Sequence, residues 1–276
     1  MNKTLKQMQS DSKLCDCFIY VVDARCPVSC INPEFVKVVK GKPIIYVLNK
    51  ADLVENSAIN YYKNYFSCDG NACVSLNATV SGNAKIIIST INKLFAERNT
   101  KNKEKGANFI TRAMVIGVPN SGKSTIVNNL CNKARAATGN KAGVTRSKQW
   151  VKVDANIEFM DTPGVLLPNF EDESKAYNLA FVGSVKDEVL NLVEVANKLI
   201  VRLNEINTNI LTTKYGVTLS VNTQPHDVLE QIGKKRGCVI RGGEIDLERA
   251  SKILLTDFRA GKLGKICLEQ ITKYSC

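Results

Sequence analysis

The chain has 276 residues, 44% of them hydrophobic, and carries 38 Lys and Arg against 26 Asp and Glu, a formal net charge of +12. That length suits one large domain or two of moderate size, each with a real core. No apolar run approaches the roughly 20 residues of a bilayer span, and Met1 to Lys13 is polar and lacks a signal-peptide core, so the expected location is the cytoplasm. The basic balance fits either a nucleic-acid or anionic-membrane partner, or simply a basic soluble protein.

In chain order, Leu5 to Lys13 reads as a short helix. Phe18 to Asp23 is a continuous apolar run ending in a carboxylate, as in a buried parallel strand. Asn32 to Lys40 is helical in pattern, with Pro33 at a first helical position. Pro43 to Leu48 is a second buried strand, Ala72 to Ser75 a short third, and Asn83 to Glu97 an amphipathic helix. Arg98 to Ala107, polar and Lys-rich, reads as a linker. Arg112 to Ile116 is the next strand, Lys123 to Lys133 the helix that follows, and Trp150 to Val153 and Ile157 to Met160 a strand pair. Strands alternating with helices predict an α/β fold with a mostly parallel, doubly wound sheet. From Ala176 to Ile206 the apolar spacing becomes helical. Asp227 to Ile232, Asp246 to Arg259 and Lys265 to Thr272 read as further helices. The expected domains are therefore 1–172 and a smaller, all-helical 173–276.

Ten cysteines raise the question of zinc or disulfides. Cys15-x-Cys17 and Cys26-x-x-x-Cys30 have no second pair with a histidine nearby, so reduced thiols are expected. The single histidine, His226, sits in a Gln-Pro-His-Asp turn that suits capping.

Gly117-Val118-Pro119-Asn120-Ser121-Gly122-Lys123-Ser124 matches the phosphate-binding pattern G-x-x-x-x-G-K-[ST]. Its glycines let the backbone wrap phosphate oxygens, and the following helix points N–H groups and a positive dipole end at the anion. Lys123 should meet the β- and γ-phosphates, and the Ser124 hydroxyl should ligate Mg²⁺. Asn49-Lys50-Ala51-Asp52 lies at the C-terminal tip of a buried strand, where ligands bind in such sheets. Asp52 can accept two hydrogen bonds from a guanine edge, whereas adenine would leave that carboxylate unpaired. Ser75-Leu76-Asn77-Ala78 ends the next strand and suits a loop whose backbone N–H meets the guanine carbonyl. Asp161-Thr162-Pro163-Gly164 follows another strand. A carboxylate there can hold Mg²⁺ through water, and Gly164 lets a backbone N–H approach the γ-phosphate as a switch. Thr145, in Gly143-Val144-Thr145, is the candidate second Mg²⁺ hydroxyl.

The order guanine loop, second base loop, phosphate loop, switch is a circular permutation of the GTPase domain. The chain resembles the circularly permuted GTPases, and within them the ribosome biogenesis GTPase A family. The resemblance rests on Val22-Asp23-Ala24-Arg25-x-Pro27, Asn49 to Asp52, Gly117 to Thr125, Gln149 to Val153, Asp161 to Pro168 and Phe170 to Glu173. It extends through Ile232-Gly233-x-Lys235-Arg236-Gly237-Cys238 and Gly242-Gly243. It implies contacts to GTP or GDP from Asn49, Lys50, Ala51, Asp52, Asn77, Ala78, Asn120, Ser121, Gly122, Lys123, Ser124, Thr125 and Gly164. Lys123, Thr145, Gly164 and Asn120 would serve catalysis, and Ser124, Thr145 and Asp161 would hold Mg²⁺. Asn120 resembles a residue that helps hold a K⁺ ion in related GTPases. Val165 stands where many GTPases carry a water-orienting glutamine.

The family implies GTP hydrolysis coupled to late assembly of the large (50S) ribosomal subunit, stimulated by the particle, with the helical domain on rRNA of the subunit precursor. Lys234 to Lys265, with nine Lys and Arg against four Asp and Glu, suits phosphate contacts. Two alternatives stand beside this: an interaction module with little hydrolysis, and a permuted GTPase acting on the small subunit. Relatives begin with an aromatic-Pro-Gly-His-Met segment. Met1 falls on its methionine, so a short N-terminal piece carrying that histidine is expected to be missing.

Overall fold

The structure, a computed structural model, describes residues 8–39, 41–105, 109–131, 149–161, 172–220 and 222–269. They fall in two compact units, the second beginning close to Phe170.

The first unit is built on β1 (Cys17–Asp23), β2 (Ile44–Asn49), β3 (Ala72–Leu76), β4 (Thr111–Ile116), β5 (Gln149–Asp154) and β6 (Ile157–Asp161). Its helices are α1 (Pro33–Val38), α2 (Asn56–Phe66), α3 (Lys85–Leu94), α4 (Ala96–Glu104) and α5 (Lys123–Cys131). The sheet order is β3-β2-β1-β4-β6-β5, parallel throughout except for β5 against β6. Every residue of β1 and β2 is buried, because both faces of the sheet are covered. That is why those strands are apolar without alternation. On one face Ile19, Val21, Ile45, Val47 and Val115 pack against Ile87 and Ile91 of α3 and Ile126 and Val127 of α5. On the other, Tyr20 stacks on Tyr46 at 5.8 Å and Tyr46 on Phe66 of α2 at 4.6 Å. The strand order reverses between β1 and β4, and the crevice beyond their C-terminal ends is the ligand position of such sheets.

Two expectations need correction, and one helix is added to them. The segment expected as a linker is helical over Ala96–Glu104. Arg98 anchors it, held between the Phe95 and Phe109 rings at 4.2 and 4.1 Å and bonded to Asp16 at 2.8 Å. Helix α2 was not anticipated from the sequence, although Ala58, Ile59, Tyr62 and Phe66 form a buried stripe. The helix expected from Lys265 is not formed over 265–269. There Ile266 and Leu268 are buried, and Arg202 Nε donates to the Leu268 carbonyl at 2.8 Å, pinning an irregular strap. The rest of that expected helix lies outside the described residues.

The second unit contains α6 (Glu173–Phe181), α7 (Leu192–Ile206), α8 (Asn209–Tyr215), α9 (Pro225–Lys235) and α10 (Leu247–Arg259). The helical spacing expected from Ala176 to Ile206 is interrupted at Gly183, whose φ of 78° permits the left-handed turn that ends α6. Asp172, Asn191 and Asp246 cap their helices through bonds to the backbone N–H of Ser174, Glu194 and Arg249. Leu199, Ile200, Leu203, Leu229, Ile232, Leu254 and Phe258 fill the core. The Arg259 guanidinium ties the end of α6 by donating to the Ala180 and Phe181 carbonyls and to Asp187.

Candidate functional site

Strand β4 ends with Ile116 in register with Tyr20 of β1, so the next loop turns over the end of β1. Gly117 has φ +146°, and a Cβ there would lie 2.3 Å from the Val21 carbonyl oxygen. Gly122 has φ +100°, and a Cβ would lie 2.1 Å from Asn49 Nδ2. Both glycines of the pattern are thus required by backbone conformation and by space. Asn120 takes a left-handed φ of 57°. The Ser121 hydroxyl donates to the Val118 carbonyl at 3.0 Å. Lys123 is buried, and its Nζ donates to the carbonyls of Gly117 (3.2 Å) and Val118 (2.8 Å). Helix α5 begins at this lysine, and Ser124 and Thr125 stand in its first turn.

Asn49 joins the loops. Its Nδ2 donates to the Ser121 carbonyl at 2.7 Å, and its Oδ1 accepts from the Ala78 N–H at 2.9 Å. One buried side chain therefore ties the guanine loop to the phosphate loop and to the loop after β3. Asn129 of α5, which sequence reasoning missed, adds a second clip. Its Nδ2 donates to the Val80 carbonyl at 3.0 Å, and its Oδ1 accepts from the Gly82 N–H at 3.2 Å. No local sequence signal marks this residue, since its partners are distant in the chain. The Ala78 N–H, in the loop expected to meet a guanine carbonyl, is engaged by Asn49. Asn77 closes its turn by accepting from the Thr79 N–H at 2.9 Å.

Lys50 leaves β2 with a left-handed backbone, and its Nζ lies 2.8 Å from Asp23 Oδ2. Asp23 also accepts from Arg25 Nε at 2.9 Å and Arg25 NH2 at 2.8 Å. Burial by itself would raise the Asp23 pKa, but the charges and hydrogen bonds of Lys50 and Arg25 outweigh it and hold the carboxyl well below the usual range. Ala51 and Asp52 form a short 3₁₀ turn, anchored by buried Val54, that leaves Asp52 exposed.

Of the residues expected to hold the metal, Ser124 stands in the first turn of α5. Asp161 ends β6 with its backbone in register with Val115 of β4, beside the strand that feeds the phosphate loop. Thr145 and Gly164 lie outside the described residues, as does Val165. A serine hydroxyl and an aspartate carboxylate are hard oxygen donors of the kind Mg²⁺ takes, so these residue types suit that ion. Among the described residues no group of three or more His, Cys, Asp or Glu is placed to bind a metal, and none of the described cysteines forms a disulfide.

In the helical unit, the glycines of the Ile232 to Cys238 stretch have physical reasons. A Cβ on Gly233 would meet the Ile245 side chain at 2.4 Å. Gly237, at φ 66°, ends α9 while the Cys238 N–H donates to the Gly233 carbonyl at 2.8 Å. The result is a short hairpin, bridged at Val239 and Ile245; Lys234, Lys235 and Arg236 at the end of α9 and Arg241 in the hairpin are exposed. Among the described residues no helix is long and apolar enough to cross a membrane.

A family model described as a 50S ribosome-binding GTPase matches residues 112–223. The match starts on β4 and takes in the phosphate loop but not Asn49 to Asp52, as a permuted order requires. The ribosome biogenesis GTPase A of Bacillus cereus is 38% identical over 273 residues, covering 98% of this chain and 91% of that protein. That of Bacillus licheniformis is 36% identical, with 98% and 95% covered. Among solved structures, GNP-bound YlqF from T. maritima matches with a TM-score of 0.64 over 98% of each chain at 24% identity, which speaks to the fold. On this similarity along nearly its whole length, the chain belongs to the ribosome biogenesis GTPase A family.

Proposed function

We propose that the chain binds and hydrolyses GTP and acts in late maturation of the large (50S) ribosomal subunit, with the particle and K⁺ stimulating turnover. The observation that carries this reading is Asn49, which joins the guanine loop, the phosphate loop and the second base loop at the C-terminal edge of the sheet. A nucleotide lying there meets Asp52 at its base end and the head of α5 at its phosphate end. Lys123, now on the loop carbonyls, is placed to swing onto β- and γ-phosphate oxygens. Backbone N–H groups from Asn120 to Thr125 receive the anion at the helix N-terminus. Ser124 and Asp161, with Thr145, would hold Mg²⁺, which when bound neutralises charge on the phosphate oxygens. Asn120 is proposed to hold K⁺ near the transferring phosphoryl group, and Gly164 to sense the γ-phosphate.

The relatives named above are ribosome biogenesis GTPases, and the exposed basic hairpin of the helical unit suits the phosphates of rRNA. The test is GTP hydrolysis with and without purified large subunits, in K⁺ and in Na⁺ buffers. Stimulation by large subunits, greater in K⁺, is the expected result. A rate unchanged by large subunits overturns the ribosomal part of the reading.

A further inference from the structure

Lys50 has φ 58° and ψ 36°, a conformation that a lysine keeps only when its surroundings fix it. At the far end of its side chain, Lys50 Nζ lies 2.8 Å from Asp23 Oδ2. The two strand tips are locked side by side, with Asp23 in register with Asn49 and the Ala24 N–H donating to the Asn49 carbonyl at 2.9 Å. The Asp23 carboxylate cannot turn away, because Arg25 grips Oδ1 through Nε and its backbone N–H and grips Oδ2 through NH2. Asp23 and Arg25 are each 1% exposed. Lys50 Nζ is therefore fixed over the end of β1, and its four-carbon stem spans from the tip of β2 to the tip of β1. The stem remains partly open, with the side chain 28% exposed.

We propose that Asp23, clamped by Arg25, is a positioning residue that lays the Lys50 stem across the crevice as an apolar rest for the face of the nucleotide base. Without that anchor a lysine ammonium is a mobile point charge, free to turn towards the nucleotide's phosphates and uncover the base. With it, the ammonium is neutralised at β1 and the stem is pre-ordered. The inference rests on the reading of this crevice as a guanine-nucleotide site.

The test is the affinity of the full chain for a fluorescent GDP analogue, mant-GDP. Lys50→Gln, which cannot pair with Asp23 as a cation, should weaken binding about tenfold. Lys50→Arg, which can, should stay within about threefold of the unsubstituted chain. Asp23→Asn should cost about tenfold alone and less than about twofold in the Lys50→Gln background, since the two act as one unit. Equal losses for Asp23→Asn in both backgrounds, or equal losses for the Gln and Arg variants, overturn the inference while leaving the nucleotide site standing. If Asp23→Asn does not fold, the Lys50 pair decides alone. No mant-GDP binding by the unsubstituted chain overturns the site reading together with this inference.

Discussion

The nucleotide edge of the first unit and the basic hairpin of the second use polar residues in opposite ways. At the edge, Asn49 and Asp23 are buried, and each holds pieces of chain that lie far apart in sequence. At the end of α9 and the hairpin after it, glycines and apolar packing hold the backbone, and Lys235 and Arg241 are exposed. A side chain that shapes the fold cannot be changed without moving the site, whereas a charge carried on an independently stable frame can be removed alone. Substitutions at the edge should therefore damage nucleotide binding and geometry together. Substitutions at the hairpin should separate partner binding from stability.

That contrast can be broken at several points. Lys123→Ala should have the largest effect, with GTP affinity falling about a thousandfold or more by calorimetry, since it removes the cation meant for the phosphates. Gly122→Ala comes next. It forces a Cβ to within 2.1 Å of Asn49 Nδ2 in a left-handed backbone, and should weaken nucleotide binding about a hundredfold and lower Tm as the Asn49 clip opens. Normal affinity there would show that the clip does not shape the site. Leu199→Ala, in the core of the helical unit, should cost roughly 3 kcal/mol by denaturant unfolding. Lys235→Ala with Arg241→Ala should change stability by less than about 0.5 kcal/mol. The same pair should weaken RNA binding and make its salt dependence shallower, by about one in slope for each phosphate the protein no longer neutralises.

Acid unfolding sharpens the comparison further. The Asp23 carboxyl is held below its ordinary value of about 4. Its stabilisation is therefore complete above that value and is lost only as pH falls through the lower folded-state one. Lys50→Met, by removing one of the charges that depress it, should move the acid midpoint to higher pH. An unmoved midpoint would count against the ion pair.

The buried strands were legible because both faces of the sheet are covered, so β1 and β2 read as unbroken apolar runs. The two pattern glycines were legible as a motif, but their reasons, the close approach to Val21 and to Asn49, are tertiary. The roles of Asn129 and of the Asp23–Lys50 pair were not legible, because each partner is brought in by the sheet or by α5 rather than by sequence neighbours. Composition misled at α4. A polar, Lys-rich stretch resembles a linker until Arg98 is seen between two aromatic rings, and Lys101 and Lys103 sit on the exposed face of a helix. The strap at 265–269 was misread for the opposite reason, since its apolar residues are held by the Arg202 bond to the Leu268 carbonyl.

Asn49 to Asp52, although they precede the phosphate loop in the chain, would read the base of a nucleotide held by Gly117 to Thr125. Competition between guanine and xanthine diphosphates for the unsubstituted chain and for Asp52→Asn tests this role directly. Strong guanine preference is expected in the first and a shift towards xanthine in the second, because an amide donates where the carboxylate only accepted. An Asp52→Asn variant that keeps its guanine affinity would contradict it.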